Sequence, residues 1–237
     1  MSISRKYGRT YHYDFSPGTT SDDRINRNWQ EEIQLFDTIL HTEKMDGENT
    51  CLSPLGVFAR SHAAPTLHPW ADHLKQRHAM MVNDLKENNL EIFGENLYAI
   101  HSIIYPNLEH HFYVFGVRVD DTWLSWEETK WYANFFDLPV VPQLAIQSTK
   151  DPEAVKQKVL EFASEPSVFG SQQNNTNPLI DCTREGIVSR NINEYKVDDF
   201  AKNVFKYVRK DHVQTDVHWS KTIKRAMLKH EWEAKNK

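Results

Sequence analysis

The stretch "TEKMDGENT" sets Lys44 beside Glu43, two residues from Asp46 and four from Glu48. An ammonium among carboxylates has three uses: a solvated surface cluster, a structural ion pair, or a nucleophile held beside metal-binding acids. A lysine with an ordinary pKa, near 10.4, is protonated at neutral pH and cannot attack. It becomes a nucleophile only when burial or nearby cations strip its proton. Carboxylates alone do the reverse. The third use therefore requires a divalent ion, Mg²⁺ or Mn²⁺, that occupies the acids and raises the potential at the amine. Glu95 in "LEIFGENLY" and Glu185 in "EGIVSR" belong with this question, because both lie in apolar, strand-like surroundings where an unpaired carboxylate is costly.

Elements with readable periodicity must position these groups. "DTILHTEK" reads as a strand ending at Lys44, and "SPLG" as the turn of a hairpin leading into "VFARS". "LEIFGENLY", "HFYVFGVRV", "EGIVSR" and "NVFKYVR" read as further strands. Ile25, Trp29, Ile33 and Phe36 fall at helical spacing in "SDDRINRNWQEEIQLF", with Ser21 and two aspartates suited to its start. Pro69 opens a second helix with Trp70, Leu74, Met81 and Leu85 on one stripe. Ser125 and Glu128 form a capping-box pair, and Asp151–Pro152 starts a further helix. "GSQQNNTNP" reads as a polar loop. The tail is expected to be helical over 216–237.

At 237 residues the chain is long enough to bury roughly 70% of its unfolded surface. A net charge of −5 argues against indiscriminate coating of long duplexes, without excluding a local basic groove. Two cysteines, Cys51 and Cys182, make no disulfide framework, and the twelve histidines show no zinc spacing. No apolar leader or bilayer-length stretch is present, so the expected setting is the reducing cytoplasm without a membrane partner.

In order along the chain stand "EKMDG", "ARS" at 59–61, "EIFGENLY" at 91–98, "FYVFGV" at 112–117, "EGIVSR" at 185–190 and "VFKYVR" at 204–209. In that order and spacing the chain resembles the covalent nucleotidyltransferases, and among them the ATP-dependent RNA ligases. The resemblance runs from "KYGRTYH" to "KYVRKDHVQTDVHW". It implies an α+β nucleotidyltransferase (ATP-grasp-like ligase) domain of antiparallel sheets flanked by helices. That domain spans 1–237, with 1–20 as an N-terminal extension. No oligonucleotide-binding barrel is expected, since about thirty residues follow the last motif.

Carried over by position, Lys44 is the lysine that takes AMP, and Arg60 contacts the nucleotide and the substrate phosphate. Glu185 is a metal-site glutamate, Glu95 an acid placed near the ribose or the metal, and Asp46 a third candidate metal ligand. Phe115 stacks on adenine, Lys206 contacts the α-phosphate, and Asn49 lies beside the phosphates. Glu43 helps read adenine through neighbouring backbone, and Arg209 stands in for a second lysine that relatives carry where this chain has Val208. Arg209 differs from Lys206 in strand parity, which sets it on the opposite face unless a bulge intervenes. In the N-terminal stretch, Arg5, Lys6, Arg9 and His12 are candidates for the RNA end or the nucleotide phosphates. The implied reactants are ATP, Mg²⁺ or Mn²⁺, and RNA with 5′-phosphate and 3′-OH ends in a nicked or broken duplex. A partner protein could supply RNA affinity. The alternatives are a DNA ligase, a GTP-using guanylyltransferase, or a non-catalytic nucleotide- or RNA-binding module.

Overall fold

Strand alternation sorts the chain into faces, and the faces build the site. The computed structural model describes residues 5–170, 182–210 and 223–235. In chain order the elements are β1 (Tyr11–Tyr13), β2 (Ile25–Asn26), α1 (Trp29–Ile33), β3 (Thr38–Lys44), β4 (Glu48–Ser53) and β5 (Gly56–Ala59). There follow α2 (Asp72–Glu87), β6 (Leu90–Asn96), β7 (Phe112–Val119), β8 (Thr122–Trp123), α3 (Trp126–Phe135), β9 (Gln143–Ser148) and α4 (Pro152–Ser164). The last are β10 (Gly186–Asn191), β11 (Tyr195–Lys196), α5 (Phe200–Asn203), β12 (Val204–Val208) and α6 (Lys229–Lys235).

Among the described residues the strands form two open six-stranded sheets and no barrel. The first has the order β2-β1-β12-β10-β3-β9, the second β11-β8-β7-β6-β4-β5. The expected α+β architecture is present. The sheets are not wholly antiparallel, because β1 runs parallel to both β12 and β2. Apolar side chains facing between the sheets include Leu40, Phe93, Phe115, Trp123 and Phe200. Leu52, Leu74, Leu85 and Ile92 pack where α2 covers the second sheet. Tyr13, Trp29, Val155, Ile187 and Phe205 pack where α1 and α4 cover the first. The helix starts follow their local chemistry. Glu128 N–H donates to Ser125 Oγ while Ser125 N–H donates to Glu128 Oε2, and Asp151 Oδ1 accepts from the N–H groups of Glu153 and Ala154. Cys51 and Cys182 are buried. No helix among the described residues is long and apolar enough to cross a membrane.

Two expectations change. The helix read over 21–36 is strand β2 followed by the five-residue α1. The reason is a long-range partner: His12 N–H donates to Arg24 O at 2.7 Å, and Ile25 pairs with His12. That pairing captures backbone which the apolar spacing alone assigns to a helix. Among the described residues the tail helix covers Lys229–Lys235. Residues 224–226 instead lie along 98–100, with Ile100 N–H donating to Lys224 O and Ala226 N–H to Tyr98 O. Residues 216–222 of that expected helix, and the polar loop beyond Gly170, lie outside the described residues.

Gly186 is where the first sheet tolerates no side chain. It pairs with Lys44 on one side and Val208 on the other, and a Cβ there would overlap the Tyr207 carbonyl oxygen. Gly186→Ala is expected to destabilise the fold by about 1–3 kcal/mol, as overpacking does, measured by urea unfolding. An unchanged midpoint would show that β10 and β12 can part without cost.

Candidate active site

Parity in the first sheet puts Thr42 and Lys44 of β3, Val188 and Arg190 of β10, and Lys206 of β12 on the inner face. Thr42, Val188, Lys206 and His12 are successive cross-strand partners. From the second sheet, Asn49 of β4 and Glu95 of β6 are paired neighbours, with Phe115 on β7 beyond. Together these side chains, His12 apart, line a cleft of about 440 Å³ between the sheets, with Tyr7, Gly8, Thr10 and Arg60 also lining it. A cavity of that size suits a nucleotide-sized ligand.

At the end of β3, Lys44 Nζ donates to Glu185 Oε2 at 2.6 Å. Burial pushes the Lys44 pKa down, but the charges of Glu185, Glu95 and Asp46 outweigh it and hold the amine above its ordinary value. Glu95 is pushed up to about 8, first by burial and then by the charges of Glu185 and Asp46, against the pull of Lys44. In the ligand-free protein the amine is thus charged and inert, and one acid carries a proton near neutral pH. Lys206 has its pKa lowered by burial and by the charges of Lys44 and Arg60, while Asp23, 3.2 Å away, opposes the shift.

Other expected site residues are placed differently. Glu43 lines the cleft, but its carboxylate is buried on the far face. It accepts from Ser167 Oγ at 2.5 Å and Val168 N–H at 2.9 Å, with Arg184 Nε at 3.5 Å. Asp46 Oδ2 accepts from the N–H groups of Ser102 and Ile103, both at 2.8 Å, and Asp46 N–H donates to Tyr105 Oη. That Oδ2 ties Asp46 to the 102–103 backbone, while its charge still acts on Lys44 and Glu95. Arg209 lies one residue past β12 and donates Nε to Arg184 O, while Lys206 faces the cleft. Asn49 Oδ1 is buried without a hydrogen-bond partner, and its amide is available to a ligand.

In the N-terminal stretch the cleft is lined by Tyr7, Gly8 and Thr10, not by Arg5, Lys6, Arg9 or His12. Tyr7 meets Phe115 edge-on at 5.0 Å and Phe200 at 4.8 Å. Arg9 instead donates to Asp22 O, and the Arg5 carbonyl accepts from Arg118. Like Tyr7, Arg190 and Asp23 lie outside the residues to which the motifs give a role. Arg190, 7% exposed, donates Nη1 to Phe115 O across the sheets, and Asp23 faces Lys206. The inward parity of Arg190 was readable from "EGIVSR", whereas nothing local marks Asp23.

Oxygen donors with clustered negative charge suit Mg²⁺ or Mn²⁺, and Glu95 with Glu185 provides them beside Lys44. A second group, Cys51, His62 and Glu91, has donor atoms within 4.8 Å of one another. It does not line the cleft, and Glu91 Oε2 there accepts from Arg118 Nε and Nη2 at 2.7 and 2.5 Å. A thiol, an imidazole and an acid already paired with a guanidinium suit a nucleotide-bound Mg²⁺ poorly, so the Glu95–Glu185 pair is the better fit.

The RNA ligase family profile matches residues 37–208. By structure the chain is similar to a mutant Naegleria gruberi RNA ligase with ATP and Mn, at TM-score 0.56 and 17% identity, over 90% of this chain and 58% of that one. It is similar to an archaeal ATP-dependent RNA ligase at TM-score 0.54 and 16% identity, over 86% of this chain and 48% of that one. A third similar structure is Naegleria gruberi RNA ligase with PPi, at TM-score 0.52 and 17% identity, over 89% and 63% of the two chains. At these identities the likeness is one of fold, and the chain spans about half to three-fifths of the length of these proteins. No curated protein matches it by sequence.

Proposed function

Because this chain belongs to the RNA ligase family of the covalent nucleotidyltransferases, we propose that it seals RNA ends with ATP through an adenylate carried on Lys44. The observation that supports this most directly is the amine of Lys44 on the cleft face, 2.6 Å from Glu185 and sharing that face with Lys206. In the proposed first step Nζ loses its proton and attacks the α-phosphorus of ATP. A P–N bond forms, the P–O bond to pyrophosphate breaks, and AMP remains on the lysine. AMP then passes to the 5′-phosphate of an RNA end, regenerating the amine. A 3′-OH attacks that end, forming the phosphodiester and expelling AMP.

The chain's own groups divide the work. Lys206 and Arg60 meet the phosphate charge that grows during transfer. Asn49 donates its side-chain N–H to the same phosphates, and its unpartnered Oδ1 accepts from a ligand donor. Phe115 and Tyr7 bound the base end, and the Arg190 bond to the Phe115 carbonyl fixes that strand. Glu95 and Glu185 would hold the divalent ion, which supplies positive potential at the lysine and the leaving group when bound. The proposed substrate is a nick or break in RNA duplex with 5′-phosphate and 3′-OH ends.

The test incubates the protein with α-labelled ATP or GTP and Mg²⁺ or Mn²⁺, then runs a denaturing gel. ATP label on the protein, chased by 5′-phosphorylated RNA, is the expected result. Label from GTP alone, or transfer only to DNA, would replace this reading with the guanylyltransferase or the DNA ligase. Phe115→Ala is expected to raise the ATP concentration for half-maximal labelling about tenfold, the size of one base–aromatic stack. No change would place the base elsewhere.

A further inference from the structure

We propose that Asp23 is a positioning residue for Lys206, holding its ammonium charged and aimed at the incoming nucleotide from a segment outside the family's motifs. The inference rests on the adenylate-transfer reading above. Asp23 Oδ1 lies 3.2 Å from Lys206 Nζ and 3.0 Å from His12 Nε2. Its other oxygen, Oδ2, accepts from Thr20 N–H and Thr20 Oγ1, both at 3.0 Å. One oxygen is thus tethered and the other presented.

The presentation depends on register. His12 of β1 is the direct cross-strand partner of Lys206 on β12, so the two side chains stand side by side on the cleft face. His12 is 1% exposed, with Nδ1 2.9 Å from Ser16 Oγ, which itself accepts from Val208 N–H. The connection from β1 to β2 is therefore held to β12 through His12, Ser16 and Gly18, and Asp23 sits at its β2 end, two residues before Ile25.

The charges facing Lys206 decide what the carboxylate does. Lys44 on β3 and Arg60 after β5 are cationic and disfavour a third ammonium. Glu185 lies within reach of Lys44, with which it is paired. His12 is pushed down to about 4, chiefly by burial, and is neutral at working pH. Val188, the β10 neighbour, carries no charge. Asp23 is the charge that opposes deprotonation of Lys206 directly. Once it is gone, Lys206 loses its proton at lower pH, and the phosphate loses its cation there.

The experiment measures single-turnover formation of the protein–AMP adduct at saturating ATP across pH 6–9.5, for wild type, Asp23→Asn, Asp23→Glu and Thr20→Val, with melting temperatures alongside. For Asp23→Asn the alkaline limb is expected to move down by about one pH unit, a tenfold loss of rate on that limb, with little change at pH 6.5. Asp23→Glu restores most of it. Thr20→Val, at an exposed position, removes one tether and shifts the limb the same way by less, which keeps the test open should Asp23→Asn fold poorly. An Asp23→Asn profile that falls equally at all pH values together with melting temperature would make Asp23 merely structural and overturn the proposal. So would a wild-type profile. Absence of adduct in wild type would instead overturn the adenylate reading itself.

Discussion

Lys44→Ala leaves no nucleotide on the protein under ATP with either Mg²⁺ or Mn²⁺, and Lys44→Arg does the same while keeping the charge. The two variants together separate nucleophile from ion pair. A guanidinium keeps the pairing with Glu185 but does not deprotonate in a protein, so it cannot form the P–N bond. A residue that only neutralised Glu185 would tolerate arginine. A residue that only stabilised transition-state charge would cost about 10²–10³ in rate on removal and leave a measurable remainder. Loss of the covalent partner leaves none. Both variants should remain folded, since the Lys44 side chain is a quarter exposed and its strand is held by backbone pairing to β9 and β10. Persistent label on Lys44→Arg would move the nucleophile to another residue.

The second large effect belongs to Glu95, and it has opposite signs for activity and for stability. The folded protein raises this carboxyl to about 8 from an unfolded value near 4.5, through burial and the charges of Glu185 and Asp46. A carboxyl whose folded pKa is raised binds its proton more tightly in the native state. Its contribution to stability is greatest below pH 4.5 and is lost progressively as pH rises through 8. Glu95→Gln imitates the protonated acid at every pH. The expected outcome is a melting-temperature gain over wild type that is small at pH 5 and grows to pH 9, in metal-free buffer. The same variant should lose adduct formation by about 10²-fold or more, since one of two metal-site acids is gone. Metal binding to wild type at pH 7 should release a proton, read in weakly buffered solution, and should release little from Glu95→Gln. A stability difference independent of pH would show that Glu95 is already ionised in the ligand-free cleft, and the stated charge balance would fail.

The ordered motifs and their alternation were legible before any coordinates. A period of two along "TILHTEK" and "VFKYV" puts Lys44 and Lys206 on the same face as their apolar neighbours dictate, and sets Arg209 off that face. The capping chemistry of Ser125 and Asp151 and the apolar stripe of Leu74, Met81 and Leu85 likewise carry their own structure. These features are local: each rests on residues a few positions apart.

What the tertiary structure decided is whatever depends on a distant partner. "SDDRIN" has helical spacing, but β1 draws it into a strand and delivers Asp23 to Lys206, 183 residues away. Glu43 and Asp46 flank the nucleophile in sequence, yet Ser167 and Val168 take one carboxylate and the Ser102–Ile103 backbone takes the other. A carboxylate's role is set by the donors that reach it in the folded chain, and sequence proximity to a lysine does not choose them. The amino-acid order alone therefore determined which amine and which acids were on offer. The packing of two sheets face to face determined which of them share a desolvated cleft, because only there do their charges act on one another strongly.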